Sequence, residues 1–123
     1  MTIRTLIVQD EDLIRWSLRK KFEARGYRVE EAPDGATALE TLDGAAFDLV
    51  MLDYKLPDMT GLDVLRKLRE RDGDSVVIMM TAYSTIESAV GALKLGAFDY
   101  VPQPFQMEVL LHTLDPALDT TRP

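Results

Sequence analysis

The sequence contains no cysteine and only one histidine, His112, among its 123 residues. Without cysteine there is no disulfide framework, thiolate nucleophile or zinc thiolate centre, and a single histidine excludes any metal site built on two. Basic side chains are also scarce: 14 Lys and Arg stand against 21 Asp and Glu, a formal net charge of -7. A surface of that sign repels phosphate backbones, so direct nucleic-acid contact is not expected. No apolar run approaches the roughly 18 residues needed to span a bilayer, and the first residues lack the charged and apolar blocks of a secretion signal. The expectation is a cytoplasmic domain without membrane contact. With 46% hydrophobic residues, the chain is long enough to bury a sizeable core in one compact unit.

Short apolar runs alternate with helical patterns. Residues 5–8, 47–52 and 76–80 are continuous and rich in Val, Ile, Leu and Met, as central strands covered on both faces require. Residues 27–31 are more polar and suit an edge strand, and residues 98–101 supply a fifth. Between them the spacing becomes helical. Leu13, Ile14, Leu18 and Phe22 form a stripe that stops at Gly26; Ala38, Leu39 and Leu42 precede Gly44; Leu62, Leu65 and Leu68 follow a Thr60 cap. Ile86, Ala89, Val90 and Leu93 precede Gly96, behind a capping box running from Ser84 to Glu87. A fifth helix starts near Phe105 and ends or kinks at Pro116. Strict alternation with short loops predicts an α/β fold: a flavodoxin-like (βα)5 three-layer sandwich with a parallel sheet in the order 2-1-3-4-5.

Ligands in such sheets bind beyond the carboxyl ends of the strands. Strand 1 runs into Gln9, Asp10 and Glu11, strand 3 into Asp53, strand 4 into Thr81 and strand 5 toward Gln103. Asp10 and Asp53 together suit a hard divalent cation such as Mg²⁺, which uses one or two carboxylates plus waters and phosphate oxygens. A cation would also let Asp53 act as a nucleophile toward a phosphoryl group, with Thr81 donating its hydroxyl to a phosphoryl oxygen. Taken singly, acids after buried strands more often cap helices.

In combination these residues resemble a family. The motifs are Leu6-Ile-Val-Gln-Asp-Glu11, Asp48-Leu-Val-Met-Leu-Asp53, Leu56-Pro-Asp-Met-Thr-Gly61, Met80-Thr-Ala82 and Gly96-Ala-Phe-Asp-Tyr-Val-Pro-Gln-Pro-Phe105. In order and spacing they are similar to those of response-regulator receiver domains of two-component signalling. Ile14-Arg-Trp16 and the run from Gly96 to Tyr100 further resemble receivers attached to AAA+ enhancer-binding activators. The resemblance implies a phosphoryl group taken from a sensor histidine kinase onto Asp53, with Mg²⁺ held by Asp10, Asp53 and the backbone carbonyl of Lys55. It implies Thr81 as the switch hydroxyl, Tyr100 as the aromatic that turns inward, and Pro104 following a cis peptide. It also implies a homodimer or effector surface on helix 4, strand 5 and helix 5. The receiver is expected over residues 1–119, with 120–123 as a tail or linker start and the output domain, expected to act in transcription, outside these residues. Self-phosphorylation is the only chemistry expected, not independent turnover.

Two positions depart from the family pattern. Gln9 stands where the family has an acid and Gln103 where it has a lysine, so one negative and one positive charge are lost together. Two amides can bond each other, which reads as a compensated pair, although independent substitution is an alternative. Loss of the lysine removes a cation that would stabilise the phosphoryl product, since charge-assisted hydrogen bonds are about twice as strong as neutral ones. Lys55 could partly replace that cation, and Tyr83 could restrict water access. The competing reading is an atypical receiver working as a phosphorylation-independent interaction module. A haloacid-dehalogenase-like phosphatase would need an acid at Lys55, and a flavin site would need a phosphate-binding loop where Gln9-Asp-Glu-Asp12 stands.

Overall fold

The computed structural model describes residues 2–71, 74–81, 86–102, 109–112 and 114. Its elements follow in the order β1 (Arg4–Val8), α1 (Asp12–Ala24), β2 (Arg28–Ala32), α2 (Gly35–Gly44), β3 (Leu49–Asp53), α3 (Gly61–Arg71), β4 (Val76–Thr81), α4 (Ile86–Lys94) and β5 (Asp99–Pro102). All neighbouring strands pair in parallel, and the sheet order is β2-β1-β3-β4-β5. The predicted topology therefore stands. Most strand ends move by one or two residues from the sequence expectation, because pairing rather than hydropathy ends a ladder. At β3 this brings Asp53 itself into the strand, in register with Met80.

Alternation along the central strands divides the core in two. Leu6, Val8, Val50, Leu52, Val77 and Met79 face the side covered by α2, α3 and α4, where Ala38, Val64, Leu65, Leu68 and Ala92 meet them. Ile7, Leu49, Met51, Ile78 and Met80 face the side covered by α1, where Leu18 and Phe22 pack. Leu110, Leu111 and Leu114 join that second cluster from a helical segment at 109–112 and 114. The predicted start of the fifth helix near Phe105 and its break at Pro116 lie outside the described residues, as does Ser84.

The apolar stripes need two corrections. Leu13 is 76% exposed, because it lies well round the helix from the Ile14, Leu18 and Phe22 line. Among the described side chains of α4 the fully buried one is Ala92, while Val90 and Leu93 are 43% and 51% exposed. At these three positions the small side chain faces the sheet and the two large ones face outward.

Helix ends obey local chemistry. Gly26 at φ 86° closes α1, with Tyr27 N–H donating to Phe22 O and Gly26 N–H to Glu23 O. Gly96 at φ 91° closes α4 in the same way, through Ala97 N–H to Ala92 O and Gly96 N–H to Leu93 O. Thr60 caps α3 reciprocally: its Oγ1 accepts from Asp63 N–H, and the Asp63 carboxylate accepts from Thr60 N–H. Arg69, near the end of α3, donates to Ser75 O at 2.8 Å and Gly96 O at 2.7 Å. That side chain ties α3 to the start of β4 and to the turn after α4.

Candidate functional site

The carboxyl ends of β1, β3 and β4 lie side by side, so the residues that leave them share one rim. Asp53 closes β3 and is only 8% exposed, whereas Asp10, just beyond β1, is exposed. Burial pushes the Asp53 carboxyl up from its ordinary 3.8 to about 6, and the nearby charge of Asp10 pushes the same way. The backbone N–H groups of Lys55 and Tyr54 and the side chain of Gln9 oppose the rise without cancelling it. The result is a partly desolvated carboxyl near a second carboxylate.

That donor set fits Mg²⁺. No cluster of three or more His, Cys, Asp or Glu suited to a metal occurs among the described residues. Mg²⁺ needs no such cage, being held by one or two carboxylates with waters and phosphate oxygens completing the shell. Two acids whose charges work against each other are what a divalent cation would relieve.

The loop after β3 is shaped by close approach. A Cβ at Gly61 would lie 2.4 Å from Asp53 O and 3.0 Å from Tyr54 Cα, so only glycine lets α3 begin this near the end of β3. Gly61 N–H donates to Tyr54 O at 2.6 Å, Lys55 bridges to Thr60, and Leu56 N–H turns back to Met59 O at 3.2 Å. From the same loop Asp58 reaches α2, where its two carboxylate oxygens accept from Gly35 N–H at 2.8 Å and Ala36 N–H at 2.9 Å. Those bonds hold the Asp58 carboxyl below the usual range. Asp34 caps the same helix through Thr37 N–H at 2.8 Å.

Gln9 is fixed from several directions. Its N–H donates to Ala32 O at 3.1 Å, and its carbonyl accepts from Arg15 Nη1 at 2.7 Å. Arg15 also pairs with Glu31 at 3.0 Å and Asp12 at 2.6 Å, and Arg19 shares Glu31. The Gln9 side chain is 1% exposed; its Oε1 accepts from Glu11 N–H at 3.2 Å, while its Nε2 has no hydrogen-bond partner among the described residues.

Of the other expected site residues, Thr81 ends β4 fully buried and in register with Pro102. Tyr100 lies in β5 beside Met79 and packs, partly buried, against the core on the α4 side. Lys55 sits two residues past Asp53, and its backbone N–H favours the ionised Asp53 carboxyl. Gln103, Pro104 and Tyr83 lie outside the described residues. Sequence reading passed over Asp58 and the role of Arg15, although Arg15 stood inside the Ile14-Arg-Trp16 motif.

This fold and rim are those of a signalling receiver, and the chain belongs to the response regulator receiver domain family, whose pattern matches residues 5–115. It is 37% identical over 123 residues to the response regulator MprA of Mycobacterium bovis strain BCG, covering 100% of this chain and 54% of that protein. The chain thus spans about half the length of the curated relatives it matches. Among solved structures it is similar to a CheY-like receiver domain protein from Methanospirillum hungatei, with a TM-score of 0.94 and 33% identity over 98% of this chain and 97% of that one. It is also similar to TrrA of Thermotoga maritima in complex with Mg²⁺ and beryllofluoride, with a TM-score of 0.84 and 32% identity over 95% and 99% of the two chains. These relatives do not single out the AAA+ activator subgroup, and they do not favour the phosphorylation-independent reading. Receiver domains of response regulators are signalling modules that interact with sensor histidine kinases and bind Mg²⁺ at the phosphorylation site. No helix among the described residues is long and apolar enough to cross a membrane.

Proposed function

We propose that Asp53 accepts a phosphoryl group from a sensor kinase histidine and that the domain thereby changes its own binding surface. The observation that carries this reading is the placement of Asp53, buried at the end of a central strand against Asp10 and the Lys55 N–H. An Asp53 carboxylate oxygen attacks phosphorus as the bond to the donor imidazole breaks, and the imidazole leaves with the electron pair. Asp10, Asp53 and the Lys55 carbonyl would hold Mg²⁺, which when bound supplies positive charge to offset that of the incoming phosphoryl oxygens. The loop pinned by Gly61 keeps Asp53 and Lys55 in fixed relation. Thr81 is the hydroxyl assigned to a phosphoryl oxygen, Tyr100 the aromatic that follows it inward, and Gln103 the neutral replacement for the family lysine.

The receiver extends over residues 1–119, with 120–123 as a tail or the start of a linker, and its output acts in transcription in the cytoplasm. Val90, Leu93, Phe98 and Val109 are large, apolar and exposed on α4, beside β5 and on the last helical segment. They support that face as the homodimer surface. Incubation with a small acyl phosphate and Mg²⁺, followed by intact-mass measurement, should add one phosphoryl group to the native chain and none to Asp53→Asn. Addition that persists in Asp53→Asn, or none to the native chain, refutes the assignment. In Asp10→Asn the Mg²⁺ affinity measured by calorimetry should fall.

A further inference from the structure

The buried amide of Gln9 is the feature that the receiver reading leaves without a task. Its orientation is set at both ends. Oε1 accepts from Glu11 N–H at 3.2 Å. Turning the amide over would set its NH₂ against that N–H, donor against donor, and its oxygen toward the Asp53 carboxylate. The observed arrangement therefore presents an N–H toward Asp53. That group is buried and, among the described residues, has no partner at normal hydrogen-bond distance, a state normally avoided in folded proteins, while it still favours the ionised Asp53 carboxyl. An N–H cannot ligate a cation, and the amide oxygen is turned toward Glu11.

We propose that Gln9 is an anion-binding residue: its Nε2 donates to an oxygen of the phosphoryl group carried by Asp53, and it takes no part in holding the metal. The proposal rests on Asp53 as the phosphoacceptor. In the resting domain the donor faces the Asp53 carboxylate without a hydrogen bond of normal length; arrival of a tetrahedral anion on Asp53 brings an acceptor oxygen within its reach. The site thus gives up one carboxylate toward the metal and gains one donor toward the anion. Arg15 supports this placement from behind by gripping the Gln9 carbonyl at 2.7 Å.

The test separates metal from anion. Gln9→Met keeps length and neutrality but removes the donor, and the exposed Glu11 can give its N–H to water. Mg²⁺ affinity alone is read by titration, and beryllofluoride affinity at saturating Mg²⁺ by fluorine NMR, with circular dichroism to check folding. The expected result is Mg²⁺ affinity within about twofold of the native chain and beryllofluoride affinity lower by about tenfold, as for loss of a hydrogen bond to a charged group. Gln9→Glu is the second variant. It keeps an oxygen toward Glu11 and replaces the N–H by an acceptor, so Mg²⁺ should bind more tightly and beryllofluoride at saturating Mg²⁺ less tightly. Unchanged beryllofluoride affinity in both variants, or equal loss of both ligands, overturns the role of Gln9 while leaving Asp53 as acceptor. Failure of the native chain to take up beryllofluoride, or uptake by Asp53→Asn, overturns the acceptor reading and the Gln9 role with it.

Discussion

Replacing Asp53 by Asn should stabilise the metal-free domain at neutral pH, although it removes the residue on which the proposed chemistry depends. Burial and the charge of Asp10 raise the Asp53 carboxyl from 3.8 to about 6. Between those values the unfolded chain is ionised while the folded one keeps its proton, so folding takes up a proton and stability falls as pH rises through that window. The full interval corresponds to about 3 kcal/mol, and water at the open rim screens part of it, leaving roughly 1 to 3 kcal/mol. Asn carries no such penalty and keeps the side-chain shape. Urea unfolding of both proteins, followed by circular dichroism in the presence of a chelator, should show Asn more stable by that amount at pH 7.5. The gap should close toward pH 4. An equal gap at both pH values, or a less stable Asn variant at pH 7.5, would refute the claim that Asp53 is held ionised against its surroundings.

Three further outcomes follow from the geometry. Thr5 is fully buried and its Oγ1 has no hydrogen-bond partner among the described residues, so Thr5→Val should stabilise the domain by about 1 kcal/mol in the same urea assay. Gly61→Ala forces a Cβ to 2.4 Å from Asp53 O and should cost about 2 to 3 kcal/mol, with NMR shifts concentrated at residues 53–55. Asp58→Ala frees the Gly35 and Ala36 amides, which should exchange with deuterium faster than in the native chain at neutral pH. Because those bonds lower the Asp58 carboxyl, its support is present above the ordinary carboxylate range and is lost as pH falls through the lowered value, where the two proteins should converge.

The parallel sheet was legible because burial on both faces leaves uninterrupted apolar runs, and glycines at the turns mark where helices must stop. Gly26 and Gly96 are plain cases: each takes the positive φ that the end of its helix needs. The outward placement of Leu13, Val90 and Leu93 was not legible, since hydropathy registers an apolar side chain without saying whether the sheet or the solvent receives it. At the rim, Gln9, Asp10, Asp53 and Thr81 could be named because each directly ends or follows a strand. Asp58 and Arg15 act across 22 or more residues and across to β2 respectively, on partners that no local pattern joins to them. Gly61 was visible as a loop glycine, but its contact with the Asp53 carbonyl exists only once α3 is laid against β3.

The Arg69 contacts bear on how α4 can move. With its guanidinium on Ser75 O and Gly96 O, the C-terminal end of that helix is bolted to the frame at the edge of the sheet remote from Asp53. The nine residues of α4 make a lever about 13 Å long, so a 10° tilt about the bolt displaces the Ile86 end by about 2 Å. Motion is thus amplified at the end of the helix that follows Thr81 in the chain and damped at the end that meets β5.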